Sequence, residues 1–166
     1  MTERRFRIGI VASLCVALAA PGQAQQTPRY GDPIGLAHAR TVVRLAEEEA
    51  RARGLRMAIA VASPSGEPVA LEVMDGTQNA SITIAPAKAR TAARFRKPTK
   101  LLQDAVAAGN LAYAVADGAL ALEGGLPITV GGRIVGALGV SGGTSVQDGE
   151  VAAAALRRFD QSAPDP

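Results

Sequence analysis

The chain has 166 residues, room for one domain of ordinary size. Hydrophobic residues make up 48% and charged residues 20%, which excludes a disordered or collagen-like chain, and with aromatics at 3% and no Trp the core must be aliphatic. The formal net charge of +3 points toward an anionic partner, yet three of the bases behind it fall within the first seven residues.

Those bases are Arg4, Arg5 and Arg7, followed by an uncharged stretch from Ile8 to Ala20 and by Gly22-Gln23-Ala24 ahead of Gln25. A basic start, a short apolar run and small residues before a cut site make residues 1–24 a signal peptide, so a periplasmic or secreted protein is expected. The run is shorter than the roughly 20 residues that span a bilayer, so no membrane insertion is expected after cleavage. Arg4-Arg5 leaves both twin-arginine and general secretion open, and Cys15 after Leu14 argues against a lipid anchor. Cleavage takes three of 18 bases and one of 15 acids, leaving a net charge of +1, and removes the sole Cys. No disulfide, iron–sulfur cluster or Cys nucleophile is then available.

Residues 25–33 hold Pro28, Gly31 and Pro33 and read as a loose leader. Leu36, Ala39, Val43, Ala46 and Ala50 recur in steps of three and four, which predicts a helix stopped at Gly54. Met57 to Ala62 and Val69 to Met74 are apolar runs parted by Ser63-Pro64-Ser65-Gly66-Glu67-Pro68, a hairpin pattern. Helices are expected over Ser81 to Arg96 and Thr99 to Ala108, strands over Ala119 to Leu122, Pro127 to Val130 and Arg133 to Val140, and a last helix to Phe159. The order predicts one α/β (α+β) domain over 34–160, a five-stranded antiparallel sheet flanked by helices, with 161–166 as a frayed tail. Pro86 inside the second helix predicts a late start or a kink there, since an interior Pro costs about 3 kcal/mol.

His38 is the only imidazole, at the edge of the first helix's apolar face. One His cannot readily build a zinc site or a Ser–His–acid triad, but one suffices as an axial ligand to haem iron, so His38 is the metal-ligand candidate; a half-buried surface His is the plainer alternative. Residues 76–103 carry Lys88, Arg90, Arg94, Arg96, Lys97 and Lys100 and no acid. Such a stretch suits carboxylates or phosphates, haem propionates included, or is simply a solvated basic face. Nucleic acid is not expected, because the stretch offers only Phe95 for stacking. Ser141-Gly142-Gly143-Thr144-Ser145 resembles an anion nest but lacks a P-loop Lys, so a turn with Asp148 as a helix-capping partner explains it better. Asp75, Glu72, Glu123 and Asp148 are the available acid–base groups, and Met74 is a soft ligand or core filler.

Met74-Asp75-Gly76, Ser81, Ile84-Ala85, Lys88-Ala89, Thr91-Ala92, Phe95 and Pro98-Thr99 form one block of motif positions. Gly124-Gly125-Leu126-Pro127-Ile128, Gly136 to Gly143 and Gln147-Asp148 form a second. Together they resemble the GlcG/HbpS haem-binding family (the DUF336-type domain) over residues 34–160. The resemblance implies a central antiparallel sheet, homo-oligomers built from dimers, and exported members that bind haem, one branch serving a membrane sensor kinase. Ser81, Lys88 and Thr91 match motif positions and are the candidates for lining a shared pocket or interface, whereas His38 matches none. The reading that follows is an exported haem-binding or haem-sensing protein, without an assigned catalytic residue, with a binder favoured over an enzyme and the enzyme question left open. Its expected site residues are His38, Met74, Ser81, Lys88, Thr91 and Arg94, and its expected partners are itself, haem and a membrane sensor. The alternatives are an enzyme or accessory protein for a small hydroxy- or keto-acid, in which Lys88 or an Arg grips the carboxylate and Asp75 moves a proton, and a ligand-free structural oligomer.

Overall fold

The computed structural model describes residues 27–162; residues 1–26, which include the expected signal peptide, and the last four residues lie outside them. Nine elements follow one another: α1 (Leu36–Ala52), β1 (Ala58–Ala62), β2 (Pro68–Val73), α2 (Ser81–Phe95), α3 (Thr99–Ala107), α4 (Ala112–Val115), β3 (Gly125–Val130), β4 (Arg133–Ser141) and α5 (Ser145–Ser162). The strands form one antiparallel sheet in the order β2-β1-β4-β3, with α1 and α5 on one face and α2 on the other.

The two faces are built from different side chains. In β1, Ile59 and Val61 join Met57, Leu138, Val140 and Ile128 against Val42, Val43, Ala46, Val151, Ala155 and Phe159 of α1 and α5. The alternate residues Ala58, Ala60 and Ala62 meet Ala85 and Ala89 of α2. Period-two alternation thus sends bulk to one side and methyl groups to the other. At Gly139 the approach is closest: a Cβ there would lie 2.5 Å from the Ala89 amide nitrogen. A helix can rest this close to a strand only where the strand residue has no side chain.

The β3–β4 hairpin turns on Gly131 and Gly132, with φ of 55° and 71°. Two consecutive left-handed residues give the turn a twist that matches the strands, and glycine adopts it without penalty. One extra residue, Val135, is accommodated where the register shifts between Ile128 and Thr129.

Three sequence expectations need correction. The sheet has four strands, not five, because Ala119 to Leu122 is not a strand. Its backbone is taken up elsewhere: Leu120 N–H donates to Thr91 Oγ1 at 2.9 Å, Glu123 N–H donates to Gln103 Oε1 at 2.8 Å, and Ala119 N–H closes a turn on the Ala116 carbonyl. The leader is not loose, since Tyr30 bridges Ile134 in parallel, Ile134 N–H donates to Arg29 O, and the Tyr30 hydroxyl donates to the Ala93 and Arg94 carbonyls at 3.1 and 3.2 Å. Finally, α2 starts at Ser81 and runs through Pro86 to Phe95, and α5 extends to Ser162, two residues into the expected tail. Pro86 is the sixth residue of α2, just past the first turn whose N–H groups lack helical partners, so it deprives the helix of one bond near its start.

The Glu47-Glu48-Glu49 run is absorbed by guanidinium groups. Arg44, Arg51 and Arg53 pair with Glu48, Glu47 and Glu49 one turn away, and Arg158 and Glu150 of α5 add cross-helix pairs with Glu48 and Arg53. Pairs this exposed contribute little individually.

Candidate functional site

Lys88 lies on the sheet side of α2 and is enclosed completely, its side chain 0% exposed. Its Nζ donates to Asp148 Oδ2 at 2.6 Å and to the Val140 carbonyl at 3.0 Å. The other oxygen of Asp148 accepts the N–H groups of Gly142 and Gly143, at 3.1 and 2.9 Å. Asp148 thus ties the β4 end and the α5 start to α2, a wider role than the helix cap expected of it. Burial pulls the Lys88 ammonium below the ordinary Lys range and pushes the Asp148 carboxyl up, and the attraction between them opposes both. Gly124 closes the chamber: a Cβ there would lie 2.8 Å from Lys88 Nζ and 2.6 Å from the Val140 oxygen, at a φ of 123° that side chains rarely adopt.

Ser81 and Thr91, the other motif positions on this side of α2, are satisfied by neighbours too. Ser81 Oγ shares hydrogen bonds with Ser141 Oγ and Gln78 Nε2, both at 3.1 Å. Thr91 Oγ1 donates to the Ala87 carbonyl at 2.8 Å while accepting from Leu120. Lys88 is therefore not placed to grip a substrate carboxylate: its side chain is enclosed, and its ammonium already bonds Asp148 and the Val140 carbonyl. None of the three lines the cavities that follow.

His38 stands elsewhere, on the exposed side of α1. It lines a cavity of about 510 Å³ between α1, the leader and the β3–β4 hairpin. Ile34, Val130, Val135 and Phe159 supply apolar walls, and Asp32, Thr41 and Arg44 supply polar groups. The imidazole meets the Phe159 ring edge-on, with centroids 6.3 Å apart and planes at 74°, which fixes one side of the ring and leaves it facing the opening. Among the described residues its nitrogens have no hydrogen-bond partner, and no cluster of three or more His, Cys, Asp or Glu is placed to hold an ion. A volume of this size, mostly apolar with a few polar groups, is the usual form of an organic-ligand site.

Met74 and Arg94 belong to neither place. The Met74 sulfur accepts Met57 N–H at 3.4 Å beside a separate hollow of about 360 Å³ that also exposes Arg51, Arg56 and Asp75. Arg94 is exposed and borders Tyr30, Pro64 and Ser65. The six expected residues are therefore spread over four places, and the bases of the 88–100 stretch do not rim the His38 cavity, where the nearby guanidinium is that of Arg44.

Helical spacing points to Thr41 and Arg44 from His38, three and six positions on; Asp32, Val135 and Phe159 reach the cavity only through tertiary packing. The arrangement defines a small α+β domain with an aliphatic sandwich on one side, a sealed ion pair on the other, and an open, imidazole-bearing cavity. The chain belongs to the HbpS-like family, described as "Haem degrading protein HbpS-like", which matches residues 34–157. It is 41% identical to Protein GlcG of Escherichia coli over 103 residues, 62% of this chain and 77% of that protein. Among solved structures it resembles the Klebsiella pneumoniae protein ORFY, with a TM-score of 0.75 and 26% identity over 87% of this chain and all of that one. It also resembles PduOC in its haem complex, with a TM-score of 0.69 and 25% identity over 75% of this chain and 94% of that one.

Proposed function

We propose that this protein is an exported haem-binding or haem-sensing protein and that His38 is the protein ligand to the iron. The observation that carries the reading is the position of the chain's sole imidazole on the wall of an apolar cavity of about 510 Å³. The residues suit the group: Val130, Val135, Ile34 and Phe159 offer dry surface to a flat macrocycle, Arg44 and Thr41 offer donors to a propionate, and a neutral imidazole nitrogen donates a lone pair to iron. Bound haem would supply redox and ligand-binding chemistry at the iron; Phe159 would hold the His38 ring in place, and the aliphatic walls would keep water from the macrocycle. The family's description and the haem complex of PduOC support the same ligand. The signal sequence supports export, and the resemblance supports self-association through dimers and a membrane-bound sensor as partner.

Titration of the exported protein with haemin is expected to give a saturable change in the Soret band. His38→Ala is expected to weaken binding about tenfold or more and to alter the band, because the imidazole that would hold the iron is removed, and Val135→Glu is expected to weaken binding by charging the dry wall. A flat titration of the wild type overturns the haem reading; unchanged binding and spectrum in His38→Ala overturn the ligand assignment. Mass spectrometry of the periplasmic or secreted fraction should find a mature chain beginning at Gln25, and an intact Met1 terminus there would refute cleavage.

A further inference from the structure

The charges of this molecule are distributed unevenly. Arg44 and Arg51 of α1, Arg53 just after it and Arg158 of α5 are engaged with glutamates, and on α3 Lys100 is held by Asp104. At the C-terminal end of α2, by contrast, Arg90, Arg94, Arg96 and Lys97 have no carboxylate partner among the described residues. They are gathered in one place. Arg90 and Arg94 lean on Gly66, where a Cβ would meet their side-chain carbons at 2.9 and 3.1 Å. The Arg96 guanidinium lies 5.5 Å over the Tyr30 ring, and Lys97 Nζ lies 5.6 Å over that of Tyr113.

Beside these cations the chain raises a small apolar tip. Leu111 is 62% exposed and Val115 82% exposed, at the two ends of the one-turn α4, which buries no residue. The tip adjoins the bases directly, because Tyr113 packs edge-on against Phe95 at 6.1 Å under Lys97, and Gly118 lies against the Arg94 guanidinium.

We propose that this end of the molecule docks on bilayers rich in anionic phospholipid. Leu111 and Val115 enter the headgroup layer while Arg90, Arg94, Arg96 and Lys97 meet the phosphates. Apolar side chains flanked by bases are the composition that binds a membrane surface without crossing it, each base adding to the attraction near an anionic leaflet. None of the helices among the described residues is long and apolar enough to cross a membrane, so contact here is peripheral. A second copy is less suited: a two-fold contact through this end would set its four cations, none with a carboxylate partner among the described residues, against their own counterparts. The inference is independent of haem.

The chain supplies its own probe, since its two tyrosines, Tyr30 and Tyr113, both lie in this patch and it has no Trp. The exported chain beginning at Gln25 is mixed with vesicles of equimolar phosphatidylcholine and phosphatidylglycerol and, in parallel, of phosphatidylcholine alone; sedimentation and tyrosine quenching by brominated lipid are read. Anionic vesicles should bind and quench, neutral ones should not, and binding should fall as salt rises. Arg94→Glu with Lys97→Glu, and separately Val115→Asp, should each lower the partition coefficient about tenfold or more, with circular dichroism confirming the fold. Absence of quenching, or equal binding by wild type and both variants, overturns the proposal. So does a self-association that Val115→Asp abolishes in the absence of vesicle binding, which would assign the tip to a second copy.

Discussion

Lys88→Met should destabilise the domain by about 3–5 kcal/mol, the range for removing one partner of a buried ion pair. The methionine fills the space of the lysine stem but leaves the Asp148 carboxylate enclosed with only the N–H groups of Gly142 and Gly143 to face. Chemical denaturation at neutral pH measures the loss. The deficit is also pH-dependent, and its sign follows from the shift. In the wild type Lys88 lowers the Asp148 pKa against the effect of burial, and burial already prevails, keeping it above the ordinary 3.8. Without Lys88 the folded-state pKa rises further, so the folded form favours a protonated carboxyl. Stability is then retained below about 3.8, the unfolded value, and lost as pH climbs through the folded one. The gap between variant and wild type should narrow in acid and widen toward neutrality. Adding Asp148→Asn should recover part of the loss, because a neutral amide oxygen still accepts the two glycine N–H groups. A variant as stable as the wild type at neutral pH would refute the account.

Gly139→Ala, the addition of one methyl, should cost about 3 kcal/mol, at the upper end for overpacking. The new Cβ would lie 2.5 Å from Ala89 N and 3.0 Å from Ala89 Cβ, and nearer still to the Ala85 carbonyl oxygen. Two of the three obstacles are backbone, so α2 must lift as a whole. Introducing Ala89→Gly alongside should therefore fail to restore the thermal midpoint. A full rescue would mean that methyl–methyl contact, rather than helix backbone, sets the spacing.

Much of this architecture is legible in short stretches of sequence. The three- and four-residue steps of α1, the Ser63–Pro68 break between β1 and β2, and the Gly131-Gly132 turn are local signals, and each element forms where its signal lies. The misread stretches are those whose partners are distant. Ala119 to Leu122 carries the apolar run of a strand, yet the Thr91 hydroxyl, 29 residues earlier, takes the Leu120 donor, and the Gln103 amide, 20 residues earlier, takes that of Glu123 just beyond. The leader looks loose because the strand it bridges follows about a hundred residues later. The site shows the same division. Lys88 stands out as a base on a helix, but only the fold reveals the carboxylate 60 positions on that removes it from ligand chemistry. His38 stands out as the single imidazole, and its cavity comes into being when Phe159, Val135 and Asp32 are brought to it.

The contrast between the two sides of the sheet bears on how such a protein can change. Where α2 meets β1 and β4 the apolar contact is made of methyl groups and bare backbone, with no room for a larger residue at Gly139. On the opposite side Ile, Val, Leu, Met and Phe can exchange volume with one another at modest cost. New binding behaviour can therefore arise through α1 and α5, next to His38, while the alanine side keeps the strands in register. One side of the molecule preserves the scaffold, and the other is free to acquire a different ligand.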